Sequence, residues 1–176
     1  MVGLGRLLAE GRADLLPLLR TCAADPRWRV REAVAMALQR LGAADMDALL
    51  REMDVWSRGS PLEQRAAAAA LCEPALLRRA DHARRALDIL DAITASLVER
   101  PDRRGEAFKA LRKGLGYCWS VAVAALPEAG MPLMERWLAH PDPDVRWLMK
   151  ENLRKQRLSR IDAAWVGRWQ ARLGLK

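Results

Sequence analysis

The sequence predicts an all-α fold, a right-handed superhelix of about four stacked helical hairpins followed by a terminal helix. Three observations support this: the composition, a motif that recurs along the chain, and regularly placed helix breakers. The chain has 176 residues, of which 51% are hydrophobic but only 5% aromatic. Ala, Leu and Arg dominate, and these are among the best helix formers. A chain of this length can bury a continuous core, so we expect one domain, residues 1–176, with essentially no sheet.

The recurring motif places an Arg, or its equivalent, ahead of a short pattern of small and apolar residues. Residues 30–38 read VRxAVxxAL, with x any residue, and residues 145–153 read VRxxMxxNL. Residues 63–71 carry a weaker copy, EQxAAxxAL, and residues 111–119 read LRxxLxxCW. The Arg position falls at 31, 64, 112 and 146, so the intervals are 33, 48 and 34 residues. Such self-similarity predicts stacked repeats, near residues 27–42, 60–73, 108–123 and 142–157.

Helix breakers divide the first half of the chain into four predicted helices, at residues 14–24, 27–41, 45–56 and 62–72. Asp25-Pro26 ends the first helix, and Gly42 is expected to cap the C-terminus of the second. Ser60 can cap the fourth helix, and Pro61 suits its first position. Glu73-Pro74 then ends that helix.

The second half is predicted to hold five helices, at residues 80–99, 103–125, 133–139, 145–157 and 161–173. Pro101-Asp102 separates the first two, and Pro127 and Pro132 are expected to bracket a turn. The segment 140–143, His-Pro-Asp-Pro, leads into the last motif helix. Residues 159–176 complete the chain as a basic C-terminal helix.

The motif Arg residues have two interpretations. Around Arg31, Arg112 and Arg146 the apolar residues fall on equivalent arcs, and only stacking of neighbouring repeats can bury such stripes. An Arg beside that arc can bond to turn carbonyls or to an Asp of the adjoining repeat, which is the interpretation we favour. The other interpretation is direct contact with a ligand. Asp25 is likewise expected to cap a helix.

These residues resemble the HEAT repeat family, whose units often carry Asp, a short turn with Pro, and then Val-Arg. Residues 25–31, DPRWRVR, match closely, and residues 140–146, HPDPDVR, match except that His140 stands in place of the Asp. The second repeat departs further, with Glu63-Gln64 in place of Val-Arg. The resemblance covers about residues 12–158 and implies an ARM/HEAT-like α-solenoid. It specifies fold more strongly than function.

Two segments, residues 28–32 and 142–146, are also similar to bacterial HEAT-like proteins of the DNA alkylation repair group. That group comprises DNA glycosylases and non-catalytic relatives. The resemblance implies a concave basic surface, with aromatic residues and an acidic residue near the damaged nucleotide. The candidate acids here are Glu32, four residues after Trp28, and Glu151, four residues after Trp147. Both are Glu, whereas the group's pattern has Asp.

The positive charge is concentrated near the C-terminus. The formal net charge is +8, and residues 145–176 contain nine basic residues against two acidic ones. A strip that could bind phosphates is predicted on the last motif helix, with Trp147 beside it as a stacking platform for bases. The strip consists of Arg146, Lys150, Arg154 and Arg157. The alternatives are a solvated polar cap on the terminal repeat and packing of Trp147 against the preceding repeat.

Other chemistry is not expected. His82 and His140 have no partners at metal-ligand spacing, so we expect no metal and no cofactor. Three cysteines lie among apolar residues, as buried thiols do in a reducing cytoplasm. The longest uncharged stretch, residues 114–127, is too short to span a bilayer, so we expect no membrane partner.

The sequence therefore favours a non-catalytic binding or scaffold module in the cytoplasm. Its concave, partly basic surface is expected to bind a protein or nucleic-acid partner, with duplex DNA among the candidates. The alternative is a DNA-binding protein related to HEAT-like alkylpurine DNA glycosylases. In that case Glu151 or Glu32 would stabilise positive charge developing on the sugar, next to Trp147 or Trp28.

Overall fold

The computed structural model describes residues 2–175, and within them the secondary structure is helical throughout, with no strand. The side chain of Val2 lies outside the description. The helices are α1 (Val2–Ala9), α2 (Leu16–Ala23), α3 (Trp28–Ala44), α4 (Met46–Trp56), α5 (Pro61–Leu71), α6 (Ala80–Val98), α7 (Glu106–Ala125), α8 (Pro127–Leu138), α9 (Pro143–Leu153), α10 (Gln156–Ser159) and α11 (Ala163–Arg172). A 3-10 turn, Ala13–Leu15, precedes α2.

The helices form antiparallel hairpins that stack into two layers, and each hairpin contributes one helix to each layer. In one layer, which we call the motif layer, α1, α3, α5, α7 and α9 pack in succession, each on the next. In the second layer α4 packs on α6, and α6 on α8. The hairpins are α2/α3, α4/α5, α6/α7 and α8/α9, so each copy of the motif lies on the second helix of its hairpin. This confirms the all-α solenoid of about four hairpins.

The core lies between the two layers and follows the motif. Val34, Leu115 and Met149, one from each of three motif helices, are fully buried. They belong to a connected cluster of buried apolar side chains that extends from Leu8 to Leu173. Burial of apolar area of this kind is the main favourable contribution to folding, at about 25 cal/mol per Å² removed from water.

Side-chain amides tie neighbouring helices of the stack. Gln39 Nε2 on α3 donates to the Ala69 carbonyl on α5, 3.0 Å away. Asn152 Nδ2 on α9 donates to the Leu115 carbonyl on α7 at 2.8 Å, and Gln170 Nε2 on α11 donates to the Leu153 carbonyl at 3.1 Å. Each bond joins a side chain to the backbone of an adjacent helix and so fixes how far one helix is displaced along the other.

Two expected features of the first hairpins differ in the structure. Gly42 does not cap α3 but lies buried within it. A Cβ at this position would approach Leu49 Cδ2 to 2.6 Å, so the glycine leaves room for α4. Helix α1 was not predicted. Gly5 is needed there for close packing, because a Cβ would lie 2.9 Å from Ala37 Cα.

The turn expected between Pro127 and Pro132 was wrong. Helix α8 begins at Pro127, where a missing N–H costs nothing, and it continues through Pro132. Pro132 is exposed, so the unpaired carbonyl that it leaves one turn earlier can bond to water. The sequence rule that a Pro stops a helix therefore failed one turn into this helix.

Candidate binding groove on the motif layer

Two adjoining cavities run across the motif layer, and together we call them the groove. The larger has a volume of about 610 Å³ and lies on α3, α5 and α7. The smaller, of about 440 Å³, lies on α7 and α9. Lys113 and Tyr117, one turn apart on α7, line both cavities. These two residues therefore join the halves of one continuous surface.

Three aromatic side chains are exposed along the groove, one on each of three motif helices. The exposed fraction is 59% for Trp28 on α3, 44% for Tyr117 on α7 and 37% for Trp147 on α9. Trp28 lines the larger cavity, Trp147 lines the smaller, and Tyr117 is common to both. Large apolar groups are usually removed from water on folding, so a row of exposed rings on one face indicates a binding surface.

An arginine lies over each of these rings. The guanidinium carbon of Arg29 is 5.0 Å from the centroid of Trp28. The corresponding distance is 4.5 Å from Arg112 to Trp147. All are within the range of a cation–π interaction.

The third pair, Arg157 and Tyr117, is also hydrogen-bonded. The guanidinium carbon of Arg157 lies 4.7 Å from the ring centroid, and its Nη2 donates to the Tyr117 hydroxyl at 2.8 Å. Arg157 belongs to the short helix α10, which packs against α7 and so carries the guanidinium to the groove.

The groove carries an excess of positive charge. Six cationic side chains line it against three carboxylates: Arg31, Arg65, Lys109, Arg112, Lys113 and Lys155, and Glu32, Glu73 and Glu151. Lys109 pairs with Glu106 at 2.7 Å, and Arg112 pairs with Asp144. Lys113 and Lys155 form no ion pair with any residue in the described part of the chain. Their charges are available to an anionic partner.

The two candidate acids lie where the sequence placed them, each near its Trp. Glu32 and Trp28 line the larger cavity, and Glu151 and Trp147 line the smaller. Each carboxylate is ion-paired: Glu32 Oε2 accepts from Arg65 Nη2 at 2.5 Å, and Glu151 pairs with Arg154. Their negative charges are thus partly neutralised within the protein.

The structure divides the predicted phosphate strip. The helix expected over 145–157 ends at Leu153, and a new short helix begins at Gln156. Trp147 faces the groove, while Arg154 lies at the C-terminus of α9 against Glu151. Arg157 lies over Tyr117 and lines a neighbouring cavity rather than the groove itself.

The remaining members of the strip lie outside the groove. Lys150 is half-buried in the last turn of α9. Arg146 instead lines a separate cavity of about 360 Å³ with Trp169 and Arg172. The strip therefore does not form one continuous row of charges, and its role in binding stays a prediction.

Two of the motif arginines have the structural role that we favoured. Arg31 Nη1 donates to the carbonyls of Asp25 and Pro26, at 2.7 and 2.9 Å. Arg112 pairs with Asp144 of the next repeat. Arg112 also lies over Trp147, so it contributes both to the stacking of repeats and to the groove.

The cysteines in the groove floor are buried. Cys72 and Cys118 line the larger cavity, but only 5% and 3% of their surfaces are exposed. Burial, and then the neighbouring Cys118 thiol, raise the pKa of Cys72 well above its ordinary value. A thiol held neutral is a poor nucleophile. Within residues 2–175 we also find no cluster of His, Cys, Asp or Glu suited to a metal ion.

Sequence reasoning missed Lys113 and Tyr117. Both lie in the third motif copy, where the prediction considered only the apolar arc that includes Leu115 and Trp119. The helical period itself could have found them, because residues 113 and 117 are four apart and share the opposite face of α7.

Comparison with known proteins supports the repeat architecture. A HEAT repeat family model matches residues 15–44, which include α2 and α3. No curated protein and no solved structure matches the chain. The first hairpin, α2/α3, is therefore similar to a HEAT repeat, and the chain is a helical-repeat scaffold. None of the helices that the structure describes combines the length and apolar character needed to cross a bilayer.

Proposed function

We propose that this protein is a non-catalytic binding module and that its groove takes a protein or nucleic-acid partner carrying negative charge. The observation that carries the proposal is the groove's combination of excess cationic side chains and exposed aromatic rings. We also propose that the repeats form one domain, because a single apolar cluster extends along the stack. Free thiols at Cys22, Cys72 and Cys118 suit a reducing compartment such as the cytoplasm.

The architecture supports a role in binding. Stacked helical hairpins present an extended surface whose shape comes from small rotations between successive repeats. Here that surface is the motif layer, and the groove crosses four of its helices, from α3 to α9. Such a surface suits an elongated partner better than a small molecule.

The positive charge of the groove favours a negatively charged partner. Lys113 on α7 and Lys155 in the α9–α10 connection are unpaired cations that line the same cavity, and a phosphate or carboxylate of a partner can pair with them at little cost in desolvation. An excess of like charge also raises the rate of association with anions, an effect that added salt screens.

The test uses two probes, a short duplex DNA and a glutamate-rich peptide, titrated against the protein at increasing salt. We expect at least one probe to bind, with an affinity that falls as salt rises. The double variant Lys113→Glu/Lys155→Glu should bind more weakly, and on DNA its salt slope should be shallower by about 2.

The matched control is Arg51→Glu/Arg84→Glu, which changes the same charge on exposed positions of α4 and α6 in the second layer. It should bind as the parent does. Absence of binding to both probes at low salt, or equal losses in the two double variants, would contradict the proposal.

The second candidate is a DNA-binding protein related to alkylpurine DNA glycosylases, favoured by the position of Glu151 beside Trp147 in one cavity. As the base leaves, a carboxylate would stabilise the positive charge that develops on the sugar. Release of free base from alkylated DNA, lost in Glu151→Gln or Glu32→Gln, would support it. An inactive parent protein would exclude the glycosylase activity.

A further inference from the structure

We infer that the groove binds single-stranded nucleic acid, with unpaired bases stacked on Trp28, Tyr117 and Trp147. The inference rests on the proposed function, because it names the class of partner for the same groove. It is carried by the three exposed ring–arginine pairs on adjoining cavities.

The three rings form one path rather than three isolated sites. Tyr117 shares the larger cavity with Trp28 and the smaller cavity with Trp147. A strand that follows the groove therefore meets the three rings in succession, with Lys113 midway. The lysine ammonium can pair with a phosphate while neighbouring bases lie on the rings.

Each ring is prepared for stacking by its arginine. A guanidinium over a ring holds a positive, planar group beside a flat π-surface, and both groups stack on nucleobases. The hydrogen bond from Arg157 to the Tyr117 hydroxyl also orients that side chain before a ligand arrives. Because the side chains are already ordered, less conformational entropy is lost on binding.

The rings favour an unpaired strand over a duplex. In a duplex the faces of the bases are covered by their stacked neighbours, and only base edges and phosphates are accessible. In a single strand the bases can be splayed out and stacked on aromatic side chains. Three exposed rings would therefore contribute little to a duplex and much to a single strand.

The carboxylates of the groove favour a nucleic acid over an acidic peptide. Glu32 and Glu151 each lie in a cavity with a Trp, where they would repel the carboxylates of such a peptide. A base stacked on the same Trp instead presents N–H groups at its edge, to which a carboxylate can accept a hydrogen bond. Nucleobases can thus donate hydrogen bonds to these carboxylates, whereas the side chains of a glutamate-rich peptide cannot.

The test compares four probes at one salt concentration by fluorescence anisotropy. They are an unstructured oligodeoxythymidine, an abasic strand of equal length, a duplex of equal length and a glutamate-rich peptide. The abasic strand retains the phosphates but has no bases to stack. We expect the oligodeoxythymidine to bind at least about 10-fold more tightly than the abasic strand, since each stacked base contributes measurably.

Variants assign that difference to the rings. Trp28→Leu and Trp147→Leu should each weaken oligodeoxythymidine binding by about 5- to 100-fold and leave abasic binding unchanged. Tyr117→Phe keeps the ring and should lose little. Met36→Ala is the matched control, because Met36 is similarly exposed on the same helix as Trp28. Thermal unfolding verifies that each variant folds.

Intrinsic fluorescence gives an independent readout. Trp56 and Trp119 are fully buried and should not be quenched by a bound strand, whereas Trp28 and Trp147 should be. The quenching amplitude should therefore fall in Trp28→Leu and in Trp147→Leu.

The outcomes separate this inference from the proposed function. Equal affinity for the four probes, with no effect of the ring variants, would overturn the inference and leave a groove that binds polyanions. Tighter binding of the glutamate-rich peptide would overturn it in favour of an acidic protein. If none of the four binds at low salt, both fail.

Discussion

The turns that open α3 and α9 carry related sequences, DPRWRVR and HPDPDVR, but are held in different ways. In the first turn the side chains of Asp25 and Arg31 bond only within the turn. Both carboxylate oxygens of Asp25 accept from the Arg27 guanidinium, at 2.9 and 2.8 Å, and Arg31 bonds to the turn carbonyls. The first turn is therefore closed by its own residues.

The turn before α9 is instead joined to the preceding repeat. Asp142 Oδ1 caps the helix by accepting from the backbone N–H groups of Asp144 and Val145, at 2.9 and 3.1 Å. Its Oδ2 accepts from Arg103 Nη1 at 2.5 Å, and Arg112 pairs with Asp144. Arg146, the equivalent of Arg31, makes no side-chain hydrogen bond with a described residue.

The difference shows that one motif can start a helix in two ways. The long interval between the second and third motif copies supplies Arg103, whose side chain also donates to the Val98 carbonyl and so braces the α6–α7 loop. With this arginine in place, the Asp of the next repeat becomes a tie between repeats. The motif residue Arg146 then makes no bond to the turn.

The largest expected effect on stability comes from one motif position, which is Ala37 in the first copy and Asn152 in the last. Asn152 is fully buried, and its Oδ1 accepts from Ser120 N while its Nδ2 donates to two carbonyls, all at 2.8 Å. Asn152→Ala should lower the free energy of unfolding by about 3 kcal/mol, because buried polar groups lose their partners. Urea denaturation measures it. The control is Gln39→Ala, which breaks one half-buried bond and should cost about 1 kcal/mol.

The second prediction tests the tie between repeats. Arg103→Ala removes bonds to Asp142, Asp144 and the Val98 carbonyl, and should lower the free energy of unfolding by about 1–2 kcal/mol. Arg27→Ala removes an exposed pair within one turn and should change it too little to resolve. Equal effects on the denaturation midpoint would show that the two turns are held alike.

The third prediction compares the motif arginines directly. Arg31→Met should cost about 1 kcal/mol of unfolding free energy, because two turn carbonyls lose a donor. Arg146→Met should leave stability unchanged, since no described partner is lost. A matching loss at both positions, seen by thermal denaturation, would refute the distinction.

The smallest expected effect is a loss of stability in acid. Hydrogen bonds from Arg27 lower the pKa of Asp25 to about 2. For Asp142 burial acts to raise the pKa, but the bond from Arg103 and the helix N–H groups outweigh it and lower the pKa. Both groups therefore stabilise the fold above the unfolded-state pKa of about 4 and lose that contribution as pH falls through their depressed values.

Denaturation midpoints measured from pH 5 downward, to about 2, would show this decline. Asp25→Asn and Asp142→Asn should each flatten the curve. A curve that keeps the parent's slope in both variants would assign the acid sensitivity to other carboxylates.

Much of the fold was predictable because the motif marks buried stripes. The repeats around Arg31, Arg112 and Arg146 placed three motif helices correctly, and the break after Trp56 was found from Gly59 and Pro61. The errors lie where tertiary packing overrides local rules. Gly42 was predicted to end a helix, although it lies inside α3 and allows close contact with α4.

Less of the candidate site was predictable. The sequence paired Trp147 with Glu151 and Trp28 with Glu32, because helical spacing places residues four apart on one face. It could not pair Arg157 with Tyr117, because that contact depends on where α9 ends and how α10 folds back on α7. Contacts between repeats far apart in sequence leave no local period to detect.

The side-chain amide bonds between helices affect how the stack responds to ionic strength. Neutral amides do not titrate and are not screened by salt, so these hydrogen bonds keep their strength while the ion pairs between repeats, such as Arg103–Asp142, weaken as salt rises. The cations that would meet a partner are masked under the same conditions. Under the proposed function, added salt would therefore weaken partner binding while the amide bonds between the helices persist.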